Sequence, residues 1–229
     1  MNPVATLPTP PAAVLFDLDG TLVDTAPEFV QVIQSMRKAR GAPALNNKTI
    51  IDMVTHGAEA MLTLITDEPA GSEEHTAIRT QFLAEYEAAL GSAAVVYPGL
   101  RELIDELGDA GIRWGVVTNK RRRFAEPLMA AMALRPSDYA LVTPCDVAQP
   151  KPHPEALERA CHQLGVHANA TVYVGDHRRD IDAGKAAGCA TIAAAYGYLE
   201  PGDQAQSWGA DRIATCSEAL ASLLMETMQ

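Results

Sequence analysis

The sequence predicts an α/β protein: a doubly wound parallel sheet with helices on both faces and a helical segment inserted after the first strand. Three observations carry this. Short apolar runs rich in β-branched and aromatic residues recur at 12–16 (AAVLF), 112–119 (IRWGVVTN) and 170–176 (ATVYVGD). Between them lie stretches whose apolar residues repeat at helical spacing, the alternation of a sheet built from parallel strands. Each run ends in a polar turn, and in such sheets ligands collect beyond the carboxyl ends of the strands.

Taken in order, residues 1–11 (MNPVATLPTPP) are proline-rich and read as a mobile leader. The first strand, at 12–16, is followed by helical patterns at 26–40, 57–66 and 74–90 with no convincing strand among them. The simplest account is a helical cap over 24–95, inserted into a core made of 12–23 and 96–229; a single large helical layer is the alternative. VVYPGL at 95–100 returns the chain to the alternating pattern. In the helix at 100–111, Leu100, Leu103, Ile104 and Leu107 share a face, and Gly108 or Gly111 ends it. Residues 122–133, 153–165, 178–187 and 217–227 repeat that pattern, and 189–197 and 211–215 are weaker strand candidates.

Composition narrows the function. The chain has 229 residues, 48% of them hydrophobic and 21% charged, with a formal net charge of -11. It is globular and long enough to bury a core. A nucleic-acid coat needs clustered Lys and Arg and is excluded. A small anionic ligand remains compatible, provided a local trap overrides the global field. No run approaches the roughly 20 apolar residues of a membrane span. The first basic residue is Arg37, so the positive start of a secretory signal is missing. The four cysteines, Cys145, Cys161, Cys189 and Cys216, make no CxxC pair, which argues against a zinc site or disulfide framework and for buried or spare thiols in a reducing cytoplasm.

Chemistry concentrates at the strand ends. In Phe16-Asp17-Leu18-Asp19-Gly20-Thr21, two carboxylates two residues apart suit a hard divalent metal, or a nucleophile beside an acid/base, and Gly20 lets the chain turn. A solvated acidic turn is the plainer reading. A calcium loop fails because Gly20 stands fourth from Asp17 rather than sixth. Thr118-Asn119-Lys120 can hold phosphate oxygens through a hydroxyl and backbone amides, or cap a helix. The run Arg121, Arg122 and Arg123 is a solvated face or an attractor of anions. In Lys151-Pro152-His153-Pro154 the prolines fix one ammonium, and His153 reads as a helix-start residue. Asp176 and Asp180 can complete an oxygen site with Asp17 and the Asp19 carbonyl, although Asp180 also suits the first turn of a helix.

As an ordered set, DxDGT, hhhTN, KPxP and GDxxxD resemble the haloacid dehalogenase-like hydrolase superfamily over nearly the whole chain from Ala12. The resemblance implies a doubly wound core with an inserted helical cap. It implies that Asp17 attacks phosphorus to give an aspartyl-phosphate, and that Asp19 protonates the leaving alcohol and then activates water. It also implies Mg²⁺ on Asp17, the Asp19 carbonyl and Asp176, with Asp180 nearby, and Thr118, Asn119 and Lys151 on the phosphoryl oxygens. Asp19 argues against dehalogenation, since a halide leaves without a proton. His177 departs from the small polar or acidic residue the family often has there.

LVDTAPE at 22–28, HGAEAML at 56–62, VVTNK at 116–120 and Tyr196-Gly197-Tyr198 look like phosphoglycolate phosphatase. WGVVTNK at 114–120, RFAEPLM at 123–129 and WGAD at 208–211 look closer to N-acetylmuramic acid 6-phosphate phosphatase. His56, Gly57 and Ala58 are then the cap loop that faces the substrate, or a purely structural turn. The expected partner is a small phosphorylated metabolite in the cytoplasm, with no nucleic acid and no membrane, and the protein a monomer or homodimer. A sugar-phosphate mutase and a phospho-accepting signalling domain are the competing readings; the latter class is about half this length and lacks a cap.

Overall fold

A computed structural model of the chain describes residues 7–137 and 140–228. Residues 1–6 of the expected leader therefore lie outside the described residues; of the remainder, Leu7 and Pro11 are buried. The chain forms two compact units, one of Thr25–Val95 and one made of the segments before and after it.

It begins with β1 (Ala13–Phe16) and the short β2 (Val23–Asp24). The inserted unit follows as α1 (Ala26–Ala39), α2 (Asn47–Ile51), α3 (Gly57–Leu62) and α4 (Glu73–Ala89). β3 (Val95–Val96) brings the chain back. Then come α5 (Leu100–Asp109), β4 (Arg113–Val117), α6 (Arg122–Ala131), β5 (Leu141–Val142) and α7 (Glu155–Leu164). The last part is β6 (Thr171–Gly175), α8 (Arg178–Ala187), β7 (Ala190–Ala194), β8 (Arg212–Ala214) and α9 (Ser217–Glu226).

Among the described residues, six strands form one sheet in the order β5-β4-β1-β6-β7-β8, and its pairs are parallel. The doubly wound α/β class is thus observed. β1 lies in the middle and is fully buried, which its continuous apolar run requires. Side chains alternate across the sheet: Ala13, Leu15, Val117 and Tyr173 pack with Ala156, Leu157, Ala160, Cys161 and Leu164 of α7. On the opposite face Phe16 meets Trp114 edge to face at 6.5 Å.

Register prepares the site. Phe16 is level with Val116 on one side and Val174 on the other. Asp17, Val117 and Gly175 are therefore level one residue later, and Thr118 and Asp176 one beyond that. Three chemically loaded turns emerge at the same sheet end because the strands are parallel and in register.

In the inserted unit, Phe29 of α1 stacks on Tyr86 of α4 at 4.2 Å between ring centroids. Glu28 is buried and accepts the backbone N–H groups of Ala93 and Ala94, tying the start of this unit to its end. The two-residue β5 and five-residue α2 show no pattern in sequence because each is too short to complete a period. Among the described residues no helix is long and apolar enough to cross a membrane. Cys145 and Cys216 are exposed and Cys161 and Cys189 buried, all as free thiols.

Because Leu157 is fully buried between α7 and the sheet, Leu157→Ala should lower the unfolding free energy by about 2–5 kcal/mol. A urea denaturation curve measures this; a loss below about 1 kcal/mol would show that α7 is not pressed against β1 and β4.

Candidate active site

The turn after β1 is closed by its own backbone. Gly20 N–H donates to Val23 O and Val23 N–H to Leu18 O, each at 2.9 Å, so Asp17 and Asp19 are held on a tight loop rather than a solvated tail. Gly20 sits at φ +79°, in the left-handed region that glycine enters at little cost. A Cβ there would lie 2.1 Å from Asp176 Oδ2, and one on Gly197 would lie 2.3 Å from both Asp176 Cβ and Gly20 O. These two glycines form a cradle around Asp176.

Asp176 is buried and both its oxygens are engaged. Oδ1 accepts from the Thr21 hydroxyl at 3.0 Å and Oδ2 from Tyr198 N–H at 2.8 Å. Asp180 is fully buried in the first turn of α8. Its Oδ2 accepts His177 N–H at 3.0 Å, while His177 Nδ1 accepts Arg179 N–H at 3.0 Å, a reciprocal cap on the helix. Burial, and then the charge of Arg179, lower the His177 pKa, which suits a neutral ring that accepts. His177 is here the N-cap of α8.

Lys151 arrives from the loop after β5. Its side chain is 1% exposed, and its Nζ lies 3.0 Å from Asp17 Oδ1 and 2.7 Å from Asp180 Oδ1. It also donates to Val117 O and the Tyr173 hydroxyl, both at 2.9 Å. The backbone of the same residue is clamped by Asn119, whose Nδ2 donates to Lys151 O at 3.0 Å and whose Oδ1 accepts Lys151 N–H at 3.2 Å. Asn119 thus meets Lys151, and its amide is engaged in holding the lysine.

Thr118 is buried at the end of β4, and its Oγ1 accepts Lys120 N–H at 3.1 Å. Lys120 Nζ donates to Asp19 Oδ1 at 2.8 Å, with the lysine side chain 6% exposed. Of the basic run, Arg122 pairs with Asp146 at 2.7 Å and Arg123 lies over the Phe124 ring. His153 accepts Glu155 N–H at the start of α7, consistent with a helix-start role. His56, Gly57 and Ala58 form a bend between a 3₁₀ turn and α3 in the inserted unit, with His56 and Gly57 exposed.

Sequence reasoning assembled Asp17, Asp19, Thr118, Asn119, Lys151, Asp176 and Asp180, and the structure brings these together. It placed Thr21, Lys120 and Tyr198 within the motifs without giving them a site role, and it missed Tyr173. Tyr173 reads in sequence as an ordinary core residue of a strand; its hydroxyl matters only because the register places it under Lys151.

The electrostatics follow from burial. Loss of water pushes the Asp176 carboxyl well above its ordinary range, and the charges of Asp17 and Asp180 push the same way. Burial also raises Asp17, against the pull of Lys151 and with a further push from Asp180. Burial works against the Lys151 charge, but Asp17 and Asp180 outweigh it and hold the ammonium protonated. Burial and the same carboxylates keep the Tyr173 hydroxyl protonated. Asp17, Asp176 and Asp180 each offer an oxygen, all within 4.8 Å of one another. Three clustered acids, of which only Asp17 and Asp180 touch the Lys151 ammonium, leave excess negative charge, and an all-oxygen donor set fits a hard divalent cation that would neutralise it.

Known proteins resemble this chain over most of its length. The model of the haloacid dehalogenase-like hydrolase family matches residues 14–194. The chain is 41% identical over 212 residues to the N-acetylmuramic acid 6-phosphate phosphatase of Pseudomonas aeruginosa, covering 93% of this chain and 94% of that one. It is 38% identical over 202 residues to the phosphoglycolate phosphatase of Xanthomonas campestris pv. campestris, covering 88% and 90% respectively. The crystal structure of a predicted phosphoglycolate phosphatase from Haemophilus somnus matches with a TM-score of 0.82 at 25% identity, over 96% of this chain and 99% of that one.

Tyr173→Phe removes a hydroxyl shared by Lys151, Val117 O and Asp180 in a dry site. It should cost about 1–3 kcal/mol of stability, the usual penalty for unpairing a buried polar group. Thermal or urea unfolding checks it, and an unchanged midpoint would remove Tyr173 from the network.

Proposed function

This chain belongs to the haloacid dehalogenase-like hydrolase family and is a phosphoric monoester hydrolase, and from that premise we propose that it is a Mg²⁺-dependent phosphomonoesterase working through an aspartyl-phosphate. One observation carries the reading: Asp17 stands at the carboxyl end of the central strand, 3.0 Å from a buried ammonium, with a second acid two residues on. That is a nucleophile, a charge to steady the phosphoryl group it attacks, and a proton carrier for the leaving oxygen.

In the proposed sequence Asp17 attacks phosphorus while the bond to the ester oxygen breaks, and Asp19 delivers its proton to that oxygen so that an alcohol departs. Asp19, now a carboxylate, takes a proton from water. The water oxygen attacks the phosphoryl group, orthophosphate leaves and Asp17 is regenerated. Lys151 and the Thr118 hydroxyl hold the phosphoryl oxygens, where positioning and charge account for most of the rate. Asn119 contributes by fixing the backbone of Lys151. Asp17, the Asp19 carbonyl, Asp176 and Asp180 would hold Mg²⁺, which supplies positive charge between an anionic nucleophile and an anionic phosphate.

For the substrate we take the phosphoglycolate type first, on the stretches around 22–28, 56–62 and 196–198. N-acetylmuramic acid 6-phosphate is the second reading, favoured by the greater identity, 41% against 38%, to the relative of that name. The exposed bend at His56, Gly57 and Ala58 is assigned a role in choosing between them.

Asp17→Asn should abolish turnover, by a factor on the order of a thousand or more, while circular dichroism stays that of the folded protein; retained activity would remove Asp17 as nucleophile. A panel pairing 2-phosphoglycolate with N-acetylmuramate 6-phosphate should show phosphate release that EDTA stops and Mg²⁺ restores. Equal, metal-independent rates on both would overturn the metal and the substrate assignments together, and an isomerised sugar phosphate as product would point to a mutase.

A further inference from the structure

Of the four acids at the site, Asp176 is held differently. Lys151 meets Asp17 and Asp180, and Lys120 meets Asp19. Among the described residues the partners of Asp176 are instead neutral donors, one on each oxygen. Those donors come from both sides. Asp176 follows β6, which lies between β1 and β7 in the sheet. The turn after β1 sends the Thr21 hydroxyl to Oδ1, and the turn after β7 sends the Tyr198 N–H to Oδ2. Two phenols then fasten these turns to each other. The Tyr196 hydroxyl donates to Thr21 O at 2.8 Å, and the Tyr198 hydroxyl to Asp24 Oδ1 at 2.6 Å. The Tyr196 ring is braced in turn by Tyr97, edge to face at 5.0 Å.

A carboxylate turns easily about its last bond, because that torsion is broad. A donor on each oxygen fixes its plane and leaves further lone pairs for a cation. Each donor here belongs to a turn that a tyrosine hydroxyl fastens: Tyr196 fastens the Thr21 peptide, and Tyr198 fastens its own. We propose that Tyr196 and Tyr198 are positioning residues for Mg²⁺ binding, which clasp the two turns together and, through the Thr21 hydroxyl and the Tyr198 N–H, set the plane of Asp176. This rests on the reading of Asp176 as a metal ligand. The phenol hydroxyls bond to Thr21 O and Asp24, and the carboxylate takes its two bonds from other groups. The tyrosines therefore act through those groups, and their loss falls on metal affinity rather than on the reacting atoms. Partners that stand behind a metal ligand change affinity by about 10–100-fold.

Tyr196→Phe and Tyr198→Phe remove the hydroxyls and keep the rings and the backbone N–H groups. Mn²⁺, which takes the same oxygen ligands as Mg²⁺, reports binding without substrate through its free-ion signal in electron paramagnetic resonance. Its affinity should fall about tenfold in each variant and further in the double variant. The Mg²⁺ concentration for half-maximal hydrolysis of p-nitrophenyl phosphate should rise by the same factor, and saturating Mg²⁺ should restore kcat. Unchanged Mn²⁺ binding in both variants overturns the proposal, whatever happens to thermal stability. A loss of kcat that saturating Mg²⁺ leaves in place also overturns it, since the phenols would then act on the site at large. If Tyr198→Phe does not fold, Tyr196→Phe, at a half-buried position, decides alone. Asp176→Asn separates the two levels. A wild type that binds Mn²⁺ no better than Asp176→Asn sinks the metal reading of Asp176 and the proposal with it. A wild type that binds better, with tyrosine variants that match it, sinks the role of the tyrosines and leaves the metal reading standing.

Discussion

Lys151 carries a positive charge into a position where 1% of its side chain meets water, and the surrounding structure is arranged to hold it there. An isolated ammonium in such a place would shed its proton, because desolvation costs several kcal/mol. Asp17 and Asp180 reverse that tendency, Val117 O and the Tyr173 hydroxyl share the remaining hydrogen, and Asn119 fixes the backbone from which the side chain extends. Removing one carboxylate would strand the charge, and removing the lysine would strand two carboxylates. The arrangement joins β1, β4, β6, α8 and the loop after β5 into one electrostatic unit.

The same balance gives the acidic composition a local meaning. Some of the net charge of -11 is gathered in Asp17, Asp19, Asp176 and Asp180. Each has a bonded partner in the protein, yet burial and mutual repulsion still push Asp17 and Asp176 upward. On the proposed reading a hard cation would neutralise part of that charge, and with it and the lysines in place the site would receive an anionic ester. In that reading the global charge would oppose such a ligand and the local field recruit it, because short distances in a dry site outweigh long ones through water.

The site also explains residues that look out of place in the sequence. His177 is not among the usual N-cap residues, yet its ring nitrogen supplies the acceptor that a helix N-cap needs. Gly20 and Gly197 are demanded by the approach of Asp176, not by flexibility, since any side chain there would collide with the carboxylate. Asp180 serves three partners at once, closing the capping box, neutralising Lys151 and accepting from Tyr173.

Much of this was legible in the sequence. The long strands show as apolar runs and the helices as periodic ones. The acidic, hydroxyl and lysine residues follow the strands at fixed offsets because chemistry in a parallel sheet sits at strand ends. By itself, then, the sequence determined the sheet class, the inserted helical stretch and the identity of the charged groups, all properties of neighbours along the chain. The tertiary structure decided the partnerships: that Asn119 clamps Lys151, that Tyr173 turns its hydroxyl to the same ammonium, that Thr21 and Tyr198 hold Asp176, and that Lys120 rather than solvent meets Asp19. Those pairs are separated by between 22 and 155 residues where the separations of Tyr173 from Lys151 and of Thr21 from Asp176 mark the extremes. No local pattern encodes them, since they arise only when parallel strands settle into register and bring distant turns to one edge.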